Sequence, residues 1–188
     1  MKIKIIQNLM FLGAALASQV VFAADGVISF TGAVTAQTCT IDGNGTGAKN
    51  FTVALPAVSA SALTSAGQTA GLTPFNISLT KCTPVGSDAG AIKAVEAHFE
   101  MGPLVNPESG NLSLDQIKGV ANNVEIQLLN SDGKTAVNLG TTGVTNVPAV
   151  PVGADGNAKL QFYAQYRATG VASAGSANSS VMYTIVYQ

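Results

Sequence analysis

Apolar residues recur at every second position in seven stretches of the chain. Gly26, Ile28, Phe30, Gly32 and Val34 form the first row, separated by Val27, Ser29, Thr31 and Ala33. Phe51, Val53 and Leu55 form the next, ended by Pro56, and Phe75, Ile77 and Leu79 lead into Cys82. Val95, Ala97, Phe99 and Met101 alternate with Glu96, His98 and Glu100, and Val124, Ile126 and Leu128 alternate with Glu125 and Gln127. Leu160, Phe162, Ala164 and Tyr166 are interleaved with Gln161, Tyr163 and Gln165. Val181, Tyr183, Ile185 and Tyr187 close the series, with Met182, Thr184 and Val186 between them. In an extended chain a period of two sends successive side chains to opposite faces, so each row predicts a strand. Gly43-Asn44-Gly45, Ser131-Asp132-Gly133 and Ala154-Asp155-Gly156-Asn157 read as turns between them. Many short strands joined by such turns predict an all-β sandwich. Ser59 to Ala66 is rich in Ala and Ser and reads as a loop or a short helix. No linker divides the chain beyond its N-terminal segment.

Composition supports strands over helices. Of 188 residues only 10% are charged, too few to furnish the polar faces of amphipathic helices. The same scarcity, with a single Arg, excludes a nucleic-acid surface. Apolar residues make up 47%, enough to build a core and too many for charge-driven disorder.

The N-terminal segment is a targeting signal by its pattern. Lys2 and Lys4 precede an apolar run from Leu9 to Ala17, which is too short to span a bilayer core of about 30 Å. Val21-Phe22-Ala23 supplies a cleavage motif, so residues 1–23 read as a signal peptide cut after Ala23. Ala15-Leu16-Ala17 is a second acceptable site. Cleavage after Ala23 removes two of the 9 basic groups, leaving 7 against 10 acidic ones, a net charge of −3 that selects no partner. Export also decides how the cysteines read. Cys39 and Cys82 are the only two, and an oxidising compartment makes them one disulfide closing a loop of 43 residues. In the chain-entropy model such a loop stabilises the fold by about 4 kcal/mol.

Catalytic chemistry is hard to assemble. His98, the only histidine, lies on the polar face of its row and reads as a solvated side chain. It leaves no triad, and two cysteines with one histidine make no structural zinc site. Asp42-Gly43-Asn44-Gly45-Thr46-Gly47 resembles a calcium loop only faintly, because the twelfth position is Val53 where a bidentate Glu is needed. Glu96 and Glu100 share a solvent face with nothing to converge them on a cleft. Asn76-Ile77-Ser78 and Asn111-Leu112-Ser113 match a glycosylation sequon by composition. The expectation is a protein without enzymatic activity, cofactor or metal.

The two ends of the chain carry a more specific pattern. Ala24 to Gly32 reads Ala-Asp-Gly-Val-Ile-Ser-Phe-Thr-Gly, followed by Thr38-Cys39. Pro74-Phe75-Asn76-Ile77-Ser78-Leu79 runs up to Cys82, and Ile126-Gln127-Leu128-Leu129-Asn130 precedes Gly133. Phe162 to Gly170 leads to Gly175, fourteenth from the end, and the chain closes on Tyr183-Thr184-Ile185-Val186-Tyr187-Gln188. In this order the segments resemble the major subunits of chaperone–usher pili, most closely those of type 1 fimbriae.

The resemblance implies an incomplete immunoglobulin-like sandwich that lacks its last strand. Donor-strand exchange would complete it: a periplasmic chaperone lends a strand first, and at the outer-membrane usher the N-terminal arm of the next subunit replaces it. The implied arm is residues 24–34, with Gly26, Ile28, Phe30, Gly32 and Val34 facing the groove, and the implied pilin domain is residues 35–188. Gly26 takes the arm-glycine role of the family, at a point of close backbone approach. Val181, Tyr183, Ile185 and Tyr187, with Gly175 and Gln188, form the implied groove and C-terminal motif. Further implied partners are identical subunits in a homopolymer, tip subunits and an adhesin, with export through the periplasm to a surface fimbria that supports adhesion. The alternatives are a minor adaptor or tip-fibrillum subunit, or a periplasmic carbohydrate-binding sandwich. Tip adhesins of this family carry a second, lectin domain, whereas this chain reads as one domain with an arm and has no Trp to stack on sugar.

Overall fold

The computed structural model describes residues 29, 38–86, 90–139 and 146–188. The arm, apart from Ser29, and the signal segment lie outside the described residues. Among the described residues nine strands form two antiparallel sheets. They are β1 (Thr38–Gly43), β2 (Thr69–Thr83), β3 (Ala94–Phe99), β4 (Val105–Asn106), β5 (Asn111–Leu112), β6 (Val124–Leu129), β7 (Val150–Pro151), β8 (Ala158–Ala168) and β9 (Tyr183–Tyr187). The larger sheet runs β1-β2-β8-β6-β5-β4 and the smaller β7-β3-β9. Ile77, Leu79, Val95, Leu160 and Phe162 are almost fully buried. Phe162 of β8 stacks on Phe75 of β2 at 5.5 Å between ring centroids and meets Phe99 of β3 edge-on at 5.2 Å, so aromatic contacts join the two sheets.

The alternating rows become β2, β3, β6, β8 and β9, with differences that have local causes. β2 starts at Thr69, earlier than its apolar row, and a bulge between Ala70 and Thr73 contains Gly71 at φ +74°. Its Pro74 pairs with Tyr163 of β8, but β1 reaches only as far as Ile77 on the other side, so no partner there needs the missing N–H. Strict alternation from Phe75 through Leu79 would turn Cys82 outward. Lys81 has φ +54° and the β1 register slips between Thr38 and Thr40, which shifts the parity by one and buries Cys82. Cys39 and Cys82 are disulfide-bonded, with Cα atoms 4.1 Å apart, and tie β1 to β2.

Two expectations change and one, at residues 59–66, holds. Residues 51–55 keep their alternating burial but join no sheet among the described residues. Ser59–Ala66 contains a single 3-10 turn, Ala60–Ala62, capped by the Ser59 side chain. β6 is buried on both faces: the Glu125 carboxylate accepts from Asn106 Nδ2 (2.7 Å) and Asn111 Nδ2 (2.9 Å), and Gln165 Nε2 donates to Gln127 Oε1 at 2.9 Å. These bonds offset the cost of taking the polar groups out of water. Asn111 is 2% exposed and its amide is engaged by Glu125, which removes its sequon from the surface.

After β8 the chain crosses between the sheets along residues 113–123. Ala121 N donates to Ser176 O, Ser176 N to Gly119 O, Asp115 N to Asn178 O, and Ser179 Oγ to Ser113 O. Gly175 fits here because a Cβ would lie 2.3 Å from Ala121 N and 2.5 Å from Val120 C, both backbone atoms that cannot swing aside. Replacing Gly175 by Ala is expected to destabilise the fold by roughly 1–3 kcal/mol through overpacking, read as a lowered urea midpoint of the folded subunit. An unchanged midpoint would show that this crossing tolerates a side chain.

Candidate functional site

β9 is an edge strand. Among the described residues it pairs with β3 and with nothing on its other side. Gln188 N donates to Ala94 O at 2.8 Å and Ala94 N to Gln188 O at 3.0 Å, while Glu100 N donates to Met182 O at 2.9 Å. These bonds set the phase of the antiparallel ladder. Even-numbered residues from Met182 to Gln188 spend their main-chain groups on β3, so those of Tyr183, Ile185 and Tyr187 point to the open side. The side chains of the same three residues turn inward, whereas Thr184 and Val186 are exposed.

Facing that edge is the stretch 50–58. Phe51, Val53, Leu55 and Val58 are half-buried and the residues between them mostly exposed, the burial pattern of a strand. No backbone hydrogen bond joins residues 50–58 to any other described residue. Local sequence therefore extends this stretch, and no neighbour completes it as a strand.

Between the two lips lies an apolar groove of about 870 Å³. Phe75 and Ile77 of β2, Ile126 and Leu128 of β6, and Ala164 of β8 form its floor. Ile41, Phe51, Val53 and Leu55 line one side, and Val181, Tyr183 and Ile185 the other. Polar side chains sit at the mouth, with Lys49 and Asn50 on one lip and Glu100 and Thr184 on the other. Thr184 Oγ1 donates to Glu100 Oε1 at 2.6 Å. Tyr183 Oη donates to the Lys49 carbonyl across the groove at 2.7 Å, and burial holds its phenol above the usual tyrosine range. Such a slot offers apolar burial along its floor and unpaired main-chain groups along β9, which is what an extended segment with alternating apolar side chains needs.

The residues expected in the groove are not all there. Val181, Tyr183 and Ile185 line it, although Val181 precedes the strand. The Tyr187 side chain packs against the core beyond the groove lining, so Tyr187 faces the open edge only through its main chain. Gln188 is fixed by its main chain at Ala94 and by its amide, which donates to Glu96 Oε2 at 3.1 Å. Gly175 lies away from the groove, in the inter-sheet crossing, where its role is close backbone packing. The donor positions Gly26, Ile28, Phe30, Gly32 and Val34 lie outside the described residues. Sequence reasoning missed the lip at 50–58 and the floor as parts of one site. The alternation of Phe51, Val53 and Leu55 was the available signal, but nothing local says that this row lacks a partner. His98 is half-exposed on the outer face of β3, with Nε2 3.7 Å from Glu100 Oε2.

Comparison with known proteins shows the family and the fold. The family model of the type-1 fimbrial protein, A, matches residues 55–188. The chain is 44% identical over 185 residues to the F17 fimbrial protein of Escherichia coli, covering 97% of this chain and 98% of that protein. It is also 44% identical over 168 residues to the major fimbrial subunit SMF-1 of Stenotrophomonas maltophilia, covering 88% and 94% respectively. Among solved structures, a chaperone–usher pilus studied for rod uncoiling superposes with a TM-score of 0.59 at 19% identity, over 91% of this chain and 100% of that one. At that identity the likeness shows the shared fold, an immunoglobulin-like sandwich. The chain belongs to the type-1 fimbrial protein family and is a structural subunit of a surface fimbria.

Proposed function

We propose that this subunit polymerises by strand donation, the arm of one copy filling the groove of the next. The observation that carries the reading is the open side of β9, where main-chain groups of Tyr183, Ile185 and Tyr187, unpaired among the described residues, border an apolar slot whose opposite lip is extended and likewise without a backbone partner there. The occupant is residues 24–34, with Gly26, Ile28, Phe30, Gly32 and Val34 on the inserted face. Burying Ile28 and Phe30 contributes roughly 1.5–3 kcal/mol each, and main-chain bonds to β9 add to that. Residues 1–23 direct export and residues 35–188 form the pilin domain. Before assembly a periplasmic chaperone lends the missing strand, and an outer-membrane usher is the place of exchange. Tip subunits and an adhesin end the filament. Catalysis has no part in this reading.

The subunit is read as the major, rod-forming one, in keeping with the likeness to SMF-1 over most of both chains. Electron microscopy of filaments sheared from the cell surface, with peptide identification and N-terminal sequencing of the dominant band, tests this. The expected result is this chain as the main component, starting at Ala24. A minor band would assign it an adaptor or tip role, and its absence from filaments would overturn the reading.

A further inference from the structure

The lip at residues 50–58 has no ladder to hold it, yet it stands apart from β9 across an open groove. Without backbone partners its position depends on side chains. Phe51 is seated by the lack of one at Gly43: a Cβ there would lie 1.9 Å from Phe51 Cδ1, so the ring fills the space above the Gly43 backbone. The ring meets Phe75 on the floor at 6.2 Å between centroids and Tyr183 on the opposite lip at 6.3 Å, edge-on. Tyr183 Oη then reaches the Lys49 carbonyl at 2.7 Å. Among the described residues this is the one hydrogen bond between β9 and the stretch 49–58.

Resting on the strand-uptake reading, we propose that Tyr183 and Phe51 are positioning residues that brace the groove and fix the spacing of its two lips for the incoming arm. The brace is built from opposite walls, with a ring contact toward the floor and a hydrogen bond toward the rim. It gives the unpaired lip a fixed place before the arm arrives. A preformed slot lowers the ordering cost that binding must offset, so the brace acts on the docking of the strand. A latch that closed the slot would have the opposite sign, because removing it would speed uptake.

The test uses the mature subunit bound to its chaperone and a labelled synthetic peptide spanning Ala24 to Val34. The rate at which the peptide replaces the chaperone is followed against peptide concentration. Tyr183→Phe keeps the ring and removes the donor. It is expected to raise the half-saturating peptide concentration about fivefold, the net worth of one hydrogen bond, and to leave the limiting rate unchanged. Phe51→Leu is expected to act in the same direction, and the double variant to add little, because both changes undo one brace. Tyr163→Phe, on the outer face of the larger sheet, is expected to match the wild type. Equal or faster uptake by Tyr183→Phe would overturn the brace while leaving strand donation standing. A wild-type subunit that takes up no peptide would overturn strand donation itself. Should Phe51→Leu fail to accumulate, Tyr183→Phe alone decides.

Discussion

Replacing Cys82 by Ser is expected to cost the folded subunit about 4 kcal/mol, a large share of the 5–15 kcal/mol that holds a domain of this size together. The effect reaches the groove because of where the bond lies. Cys39 and Cys82 tie β1 to β2, and β1 is an edge strand with no second neighbour among the described residues. Ile41 of β1 lines the groove and Gly43, at its end, seats Phe51. Freed from Cys82, β1 would fray and take one wall of the slot with it. The expected readout is a sharp fall in periplasmic yield and a lower urea midpoint for whatever folds. In the wild type, thiol labelling of denatured, unreduced protein should find no free sulfhydryl. Undiminished yield and an unchanged midpoint in the variant would contradict this account.

Deleting Ala24 to Thr31 is expected to end filament growth while leaving the subunit able to be captured. Among the described residues the groove is lined only by residues after Thr38, so on the strand-donation reading the shortened chain keeps its acceptor and loses its donor. Expressed beside the wild type, it should be incorporated and then terminate each filament, so surface filaments become shorter as its share rises. Phe30→Asp is expected to act in the same way, because an unpaired carboxylate in an apolar slot costs several kcal/mol. Filaments of normal length at high variant content would show that donation does not run through this arm.

Strand rows were legible where burial on one face follows from local alternation. β3 and β9 keep the apolar and polar faces that Val95 to Phe99 and Tyr183 to Tyr187 spell out. Where partners are distant in sequence, the pattern was silent. The burial of Glu125 depends on Asn106 and Asn111, 19 and 14 residues away, and no local signal marks that pairing. Cys82 faces the core only because Lys81 takes a left-handed backbone, which is unusual for a lysine and unannounced by its neighbours. Gly175 was identifiable as a motif position, but its cause, the backbone of Val120 and Ala121, appears only once the crossing is folded. The groove itself is a relation between two rows that do not pair. Alternation shows each row and carries no information about the missing strand between them.

The most direct measurement of strand donation compares two peptides on one chaperone-bound subunit. A synthetic Ala24 to Val34 peptide should displace the chaperone over hours and yield a stable subunit–peptide complex, seen by native gel and mass. The same peptide carrying Phe30→Asp should displace little or none. Exchange by both peptides alike, or by neither, would contradict the assignment of this arm as the strand that completes the fold.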